Sequence, residues 1–231
     1  MIPNIIYKTA PYLNLSIKMI NEELEKQNPG WKVKFYNDKE SLNFLKNNFQ
    51  NERPIFKKNV ITAYNTLIPG AYKADLWRLC IIYQYGGVYM DASSRFITSI
   101  NKIFDLNKTF NIALDNSNKG SGLQIAFFAA IKNHPFLKLY ITQILLNIKN
   151  KYYGKNSLFP TGPICALNVA QNKHFYNKIN IPVILDKGYY KMKINGIIVG
   201  KRKSSQHNKL INKNKKNSYG YLWKNKLIYR Q

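Results

Sequence analysis

Three charged residues stand in apolar surroundings. Residues 71–96 read AYKADLWRLCIIYQYGGVYMDASSRF, with Asp75 and Arg78 set among Leu76, Trp77, Leu79, Cys80, Ile81 and Ile82. A stretch apolar nearly all round predicts a buried helix, here over 72–85. Asp75 and Arg78 are three apart and share one face of it. Buried charge is costly unless it is paired or used. Two readings therefore stand: a mutually satisfied internal ion pair, or two groups facing a polar cleft and holding the hydroxyls of a ligand. Gly86-Gly87 supplies a left-handed stop to the helix, and Val88-Tyr89-Met90 predicts a short buried strand. Asp91 then falls at the carboxyl end of that strand, where open α/β sheets bind ligands. This favours the cleft.

The elements that must position these groups alternate in type. IPNIIY (2–7) predicts a first strand, and 13–27 a helix with Leu13, Ile17, Ile20 and Leu24 at helical spacing. Asn28-Pro29-Gly30 is a turn, Trp31–Tyr36 a second strand, and a short helix capped by Asp38 or Ser41 runs to about Asn47. Residues 54–66 read as a weakly patterned helix. Beyond Asp91 come a strand-like 96–100, a short strand ending on Asp115 and an apolar stretch over 123–131. Pro135 opens a long helix to about Asn150, Thr161-Gly162-Pro163 starts a shorter one, and 181–185 is a strand ending on Asp186. Alternating strands and helices imply an α/β layered domain with a mostly parallel sheet. Residues 201–217 are basic and polar, a loop. The aromatic YGYLWKNKLIYR that follows is expected to dock.

Composition sets the bounds. The 231 residues suit one domain, 45% hydrophobic and 14% aromatic, which excludes a disordered chain. No apolar run reaches transmembrane length and the N-terminus lacks a signal peptide's pattern, so a cytoplasmic protein is expected, with peripheral attachment to a membrane or a virion left open. Cys80 and Cys165 sit in apolar segments and read as reduced core residues. The formal net charge is +25. A field of that sign attracts polyanions and anionic membrane faces. The same excess of Lys, Asn, Ile and Tyr also matches the drift of an AT-rich genome. Beyond Glu52 the acids are Asp75, Asp91, Asp105, Asp115 and Asp186, so carboxylate chemistry there draws on these five. His134 precedes Pro135 as a helix-start residue, and three histidines without partners at ligand spacing make no zinc site. Glycine-rich phosphate loops and recognised nucleic-acid motifs are absent.

Taken as words, these segments resemble glycosyltransferase family 32, the group of yeast-type initiating mannosyltransferases, capsular polysaccharide enzymes and many viral relatives. Lys73-Ala74-Asp75-Leu76-Trp77-Arg78 and Tyr85-Gly86-Gly87-Val88-Tyr89-Met90-Asp91 are similar to its central motif. Ile2–Thr9, Asn28-Pro29-Gly30-Trp31, Phe35-Tyr36-Asn37-Asp38, Asn133-His134-Pro135-Phe136 and Thr161-Gly162-Pro163 follow the family's other words in order, covering about residues 1–170.

The resemblance implies a single GT-A domain over 1–231, Rossmann-like with helices on both sheet faces. It also implies retaining transfer of a hexose or N-acetylhexosamine from a UDP- or GDP-sugar to a glycan or protein hydroxyl. Carried over residue by residue, Asp75 and Arg78 would bond the donor sugar. Asp91 would contact ribose or sugar and help order Mn²⁺ or Mg²⁺. Tyr7 would pack on the base and Gln124 face the sugar. Trp223 would reach the diphosphate, as a C-terminal tryptophan does in the related clostridial toxin glucosyltransferases, and Asn217 or Ser218 would lend the metal an oxygen. Basic residues of 201–216 would close over the phosphates. No carboxylate is an obvious nucleophile, Asp115 being the nearest candidate; front-face transfer, with the leaving phosphate taking the acceptor's proton, requires none. One position departs from the family. Its second acid is Ser93 here, a weaker ligand for a hard dication. The metal is then expected on Asp91, Ser93, the diphosphate and a C-terminal group. A degenerate member that binds without turnover is one alternative, and a basic nucleic-acid-associated α/β protein the other.

Overall fold

The computed structural model describes residues 1–49, 54–116, 122–202 and 216–230. Nine strands are present among them: β1 (Ile5–Thr9), β2 (Lys32–Tyr36), β3 (Gly87–Met90), β4 (Arg95–Phe96), β5 (Phe110–Asp115), β6 (Gly122–Ala130), β7 (Asn180–Asp186), β8 (Tyr189–Met192) and β9 (Ile198–Lys201). The α-helices are α1 (Leu15–Gln27), α2 (Asp38–Phe49), α3 (Pro54–Thr66), α4 (Gly70–Tyr85), α5 (Ile100–Ile103), α6 (Pro135–Lys149), α7 (Pro163–Asn172) and α8 (Tyr219–Lys224). The strands form one sheet in the order β2-β1-β3-β6-β5-β7-β8-β9-β4.

The sheet separates two cores by simple alternation. Phe128 and Ala130 of β6 face the core built with α2, α3, α4, α6 and α7, whereas Phe127 and Ala129 face the one closed by α1 and α5. Helices thus cover both faces, as the GT-A layering requires. Parallel pairing holds for β2-β1-β3 and for β5-β7. β6 runs antiparallel between β3 and β5, and β7, β8, β9 and β4 pair antiparallel in turn. Short connections explain the reversals: six residues between β5 and β6, or two between β7 and β8, reach only an antiparallel neighbour.

Local chemistry accounts for the helix ends. Asn14 caps α1 by accepting from the Ile17 amide at 2.9 Å. The cap of α2 is not Asp38 or Ser41 but Asn37. Its Oδ1 accepts from the Glu40 amide at 3.0 Å while Glu40 Oε2 accepts from the Asn37 amide at 2.8 Å, a reciprocal capping box. His134 caps α6 through Nδ1, which accepts from the Phe136 amide, and burial pushes its imidazole down to about 4. The expected strand over 96–100 is shorter, because Ser99 begins α5. The basic 201–217 segment lies outside the described residues apart from its ends. Arg230 and Ile228 pair with Thr66 and Ile68 through backbone hydrogen bonds, which fastens the end of the chain beside α3.

Gly86 and Gly87 connect α4 to the sheet at φ +69° and +109°. A Cβ on Gly87 would meet the Ile5 carbonyl at 2.7 Å, so β1 and β3 approach only because no side chain stands there. Gly87→Ala is expected to lower unfolding stability by at least about 2 kcal/mol, read from urea melts. A change within error would mean that the strand entry adjusts without strain.

Candidate active site

α4 is buried around most of its circumference, yet Asp75 and Arg78, near its middle, line a cavity of about 440 Å³. The cavity opens at the carboxyl ends of β3 and β5. Asp75, Arg78, Asp91, Asp115 and Gln124 line it, together with Tyr72 and Tyr219, and Lys187 and Arg202 stand on its β7–β9 side.

Arg78 organises this wall. It is 6% exposed, and its donors are committed in three directions. Nε donates to the Ala74 carbonyl at 3.1 Å and Nη1 to the Ile125 carbonyl at 3.0 Å. Nη2 lies 3.4 Å from Asp75 Oδ1 and 3.3 Å from Asp91 Oδ1. The guanidinium also stacks over the Tyr89 ring at 4.5 Å. Burial works against its charge, but Tyr89, Asp91 and Asp75 together outweigh that and hold the guanidinium above its ordinary range. The ion pair and the cleft are therefore one arrangement: Arg78 pairs with the carboxylates and fixes them at the wall.

The Ile125 carbonyl is available because of an irregularity in the sheet. Ile112 pairs with Phe128 but the next residue, Ala113, pairs with Gln124, so 125–127 bulge out of the β5 register. Bulges commonly re-aim groups at sites. Here the bulge also places Gln124, whose Nε2 donates to Asp115 Oδ2 at 2.9 Å while its Oε1 accepts from the Ala126 amide.

Asp75 receives a second partner from the Thr161-Gly162-Pro163 word, with Thr161 Oγ1 donating to Oδ2 at 2.7 Å. Burial raises its carboxyl to about 6, against the opposing pull of Arg78 and Thr161. Asp91 is more open, its side chain 27% exposed. Arg78 and the Tyr89 hydroxyl, at 3.0 Å, both engage Oδ1, which leaves Oδ2 as the acceptor for a ligand.

The expected site residues thus divide. Asp75, Arg78, Asp91 and Gln124 come together on the cavity wall. Tyr7 does not line it; its ring is 2% exposed, stacked with Tyr85 and tilted against Tyr36. Trp223 donates its Nε1 proton to the Tyr153 carbonyl at 2.7 Å, and the cavity takes Tyr219 instead, one helical turn earlier. Asn217 is exposed and Ser218 caps α8, accepting from the Tyr221 amide at 3.3 Å. Ser93 is buried and does not line the cavity.

Of the expected metal set of Asp91, Ser93 and Ser218, Asp91 alone lines the cavity. A hard dication needs several oxygens, preferably carboxylate. The other two cavity carboxylates carry partners already, Asp75 from Arg78 and Thr161 and Asp115 from Gln124. Among the described residues no three His, Cys, Asp or Glu gather as ligands. These residues do not fit the ion.

The cationic side of the cavity was not foreseen residue by residue. Lys187 occupies the β7–β8 turn at φ +46°, and the Arg202 amide donates to the Gly188 carbonyl of the same turn at 2.9 Å. Among the described residues no helix is long and apolar enough to cross a membrane.

Residues 16–110 match the family model described as a glycosyltransferase sugar-binding region containing DXD motif. Glycosyltransferase L373 of Acanthamoeba polyphaga mimivirus, itself described as uncharacterized, is 34% identical over 98 residues, 39% of this chain and 35% of that one. Inositol phosphoceramide mannosyltransferase 1 of Schizosaccharomyces pombe is 27% identical over 165 residues, 69% of this chain and 47% of that one. The chain spans about a third to a half of the length of these curated relatives. The solved PaToxG glycosyltransferase shares its fold, with a TM-score of 0.58 at 15% identity over 77% of this chain and 76% of that one.

Proposed function

We propose that this chain, which carries the sugar-binding region of the DXD glycosyltransferases, moves a hexose or N-acetylhexosamine from a UDP- or GDP-sugar to a hydroxyl of a glycan or protein, with retention. The observation that carries the reading is the pair of carboxylates that Arg78 fixes, sharing with Lys187 and Arg202 the lining of one cavity of about 440 Å³. Carboxylates accept from sugar hydroxyls and cations attract a diphosphate, so the lining offers partners for both parts of a nucleotide sugar.

In the transfer the bond from the sugar's anomeric carbon to the diphosphate breaks and its electron pair stays on the phosphate oxygen. The acceptor oxygen forms the new bond on the same face, and its proton passes to that phosphate oxygen. No protein nucleophile is needed, and Asp115 stays bonded to Gln124. Asp75 and Asp91 orient the sugar and steady the charge that grows at the anomeric carbon. The name of the fission-yeast relative makes a mannose donor the first to test. An anionic membrane presenting the acceptor would suit the +25 charge.

The test is release of UDP or GDP from a panel of nucleotide sugars, with and without a glycan acceptor. Turnover with one donor is expected, and Asp91→Asn should lower it by about 10²–10³-fold with unchanged circular dichroism. Full turnover in that variant would remove Asp91 from the site. Ser93 in place of an acid favours one second reading, binding without turnover; donor affinity with no release of diphosphate from any donor would establish it.

A further inference from the structure

The cavity that fits a dication poorly holds unspent positive charge of its own. Its charged lining residues are Asp75, Asp91 and Asp115 against Arg78, Lys187 and Arg202, three of each sign, so the wall is formally neutral. Net charge therefore favours neither a dication nor a diphosphate, and what decides is which of these groups are already paired. Arg78 is consumed by Asp75 and Asp91, which leaves Lys187 and Arg202.

The backbone of Arg202 is held at both its polar groups. Its amide donates to Gly188, and its carbonyl accepts from Ser94 Oγ at 3.1 Å. Ser94 is fully buried and its own amide donates to the Asp91 carbonyl, so the turn that lacks the second acid is the turn that pins this arginine. The Arg202 Nε is buried yet has no hydrogen-bond partner. A buried unpaired donor on a cationic group costs free energy until an acceptor arrives.

Resting on the transferase reading above, we propose that Arg202, with Lys187 beside it, binds the donor's diphosphate in place of a divalent metal, so that donor binding and transfer are independent of added metal. When the anomeric bond breaks, the electron pair left on the phosphate oxygen is met by the Arg202 guanidinium. Ser94 is a positioning residue for it.

Calorimetric titration of UDP and of GDP into the full chain, in EDTA and then in Mn²⁺ or Mg²⁺, tests this. The expected result is a Kd that agrees within about threefold across the conditions, a Kd at least about tenfold weaker for Arg202→Gln, and partial recovery in Arg202→Lys, with all three proteins melting alike. Ser94→Ala is expected to weaken binding less than Arg202→Gln does. Binding that appears only with the metal overturns the inference and upholds the transferase reading. Unchanged affinity in Arg202→Gln also overturns it. Failure of both nucleotides to bind under every condition overturns the inference and the transferase reading together.

Discussion

Arg78→Met is expected to lower unfolding stability by about 3–5 kcal/mol and to abolish binding of nucleoside diphosphates. The side chain it removes is the hub of four polar contacts and stacks on the Tyr89 ring. Without it, Asp75 and Asp91 lose their shared cation and the Ala74 and Ile125 carbonyls lose their donors. Methionine fills similar volume, so the loss reports charge and hydrogen bonding rather than a cavity. Arg78→Lys should recover only part of it, because one ammonium cannot span three directions that a planar fork spans.

The pH dependence separates this account from a packing defect. Asp75 already titrates near 6 with Arg78 present, and losing the cation raises its carboxyl further. A carboxyl whose folded value lies above its unfolded one weakens the fold once pH rises through the folded value, and does not do so below the unfolded one. The deficit of Arg78→Met relative to wild type should therefore be larger at pH 8 than at pH 4. Urea melts at the two pH values give the comparison. An equal deficit at both would mean that the carboxylates do not depend on Arg78.

Such a hub explains which parts of the site were legible in the sequence. Asp75, Arg78 and Asp91 stood out because charge inside an apolar helix and beside an apolar strand violates the pattern around it. The Thr161-Gly162-Pro163 word was visible too, although its use, a hydroxyl on Asp75, became clear only when α6 and α7 brought it to α4. Tyr7 and Trp223 show the opposite case. An aromatic in a strand or short helix has the same local pattern whether it packs in a core or floors a pocket. Tyr7 found Tyr36 and Tyr85, and Trp223 found the Tyr153 carbonyl.

Lys187, and the choice of Arg202 among the basic residues of its segment, were hidden for a different reason. Among lysines and arginines spread through the whole chain Lys187 carries no signal, and Arg202 was marked only as one of the basic residues of 201–216. What selects them is the pairing of β7, β8 and β9, a long-range register that short runs such as Ile198–Lys201 encode weakly. The bulge at 125–127 was equally silent, since Ile125, Ala126 and Phe127 read as an unbroken apolar strand. The fold class was legible because it rests on periodicity and on the order of elements. The direction of each strand follows from connection lengths, which blurred element boundaries obscured.

Lys8→Met is expected to make the protein more stable, by on the order of 3–5 kcal/mol at pH 6. Lys8 of β1 is wholly buried, and its Nζ has no hydrogen-bond partner. Burial pulls its ammonium down to about 7, with the charge of Asp91 acting the other way. In the unfolded chain the same group titrates at about 10.4. Below pH 7 both states carry the proton and the folded one bears the full cost of a buried charge. Between pH 7 and about 10 the folded state has shed the proton while the unfolded state keeps it, so wild-type stability from this residue rises across that window. Methionine fills the stem's volume and has nothing to titrate. The advantage of the variant should therefore be greatest at pH 6 and should shrink markedly by pH 9.5, as urea midpoints at the two pH values would show. A variant less stable than wild type at pH 6 would mean that the ammonium has a partner in solution. The expected gain carries a point about the site itself. A residue whose removal stabilises the fold is not retained for folding, and stabilising substitutions of this kind commonly mark groups kept for function. Lys8 acts on Asp91 through the field of its charge from the end of the strand beside it, as Arg78 does from α4. Two cations on one carboxylate weaken its hold on a metal ion, while the same carboxylate remains able to accept from a sugar hydroxyl.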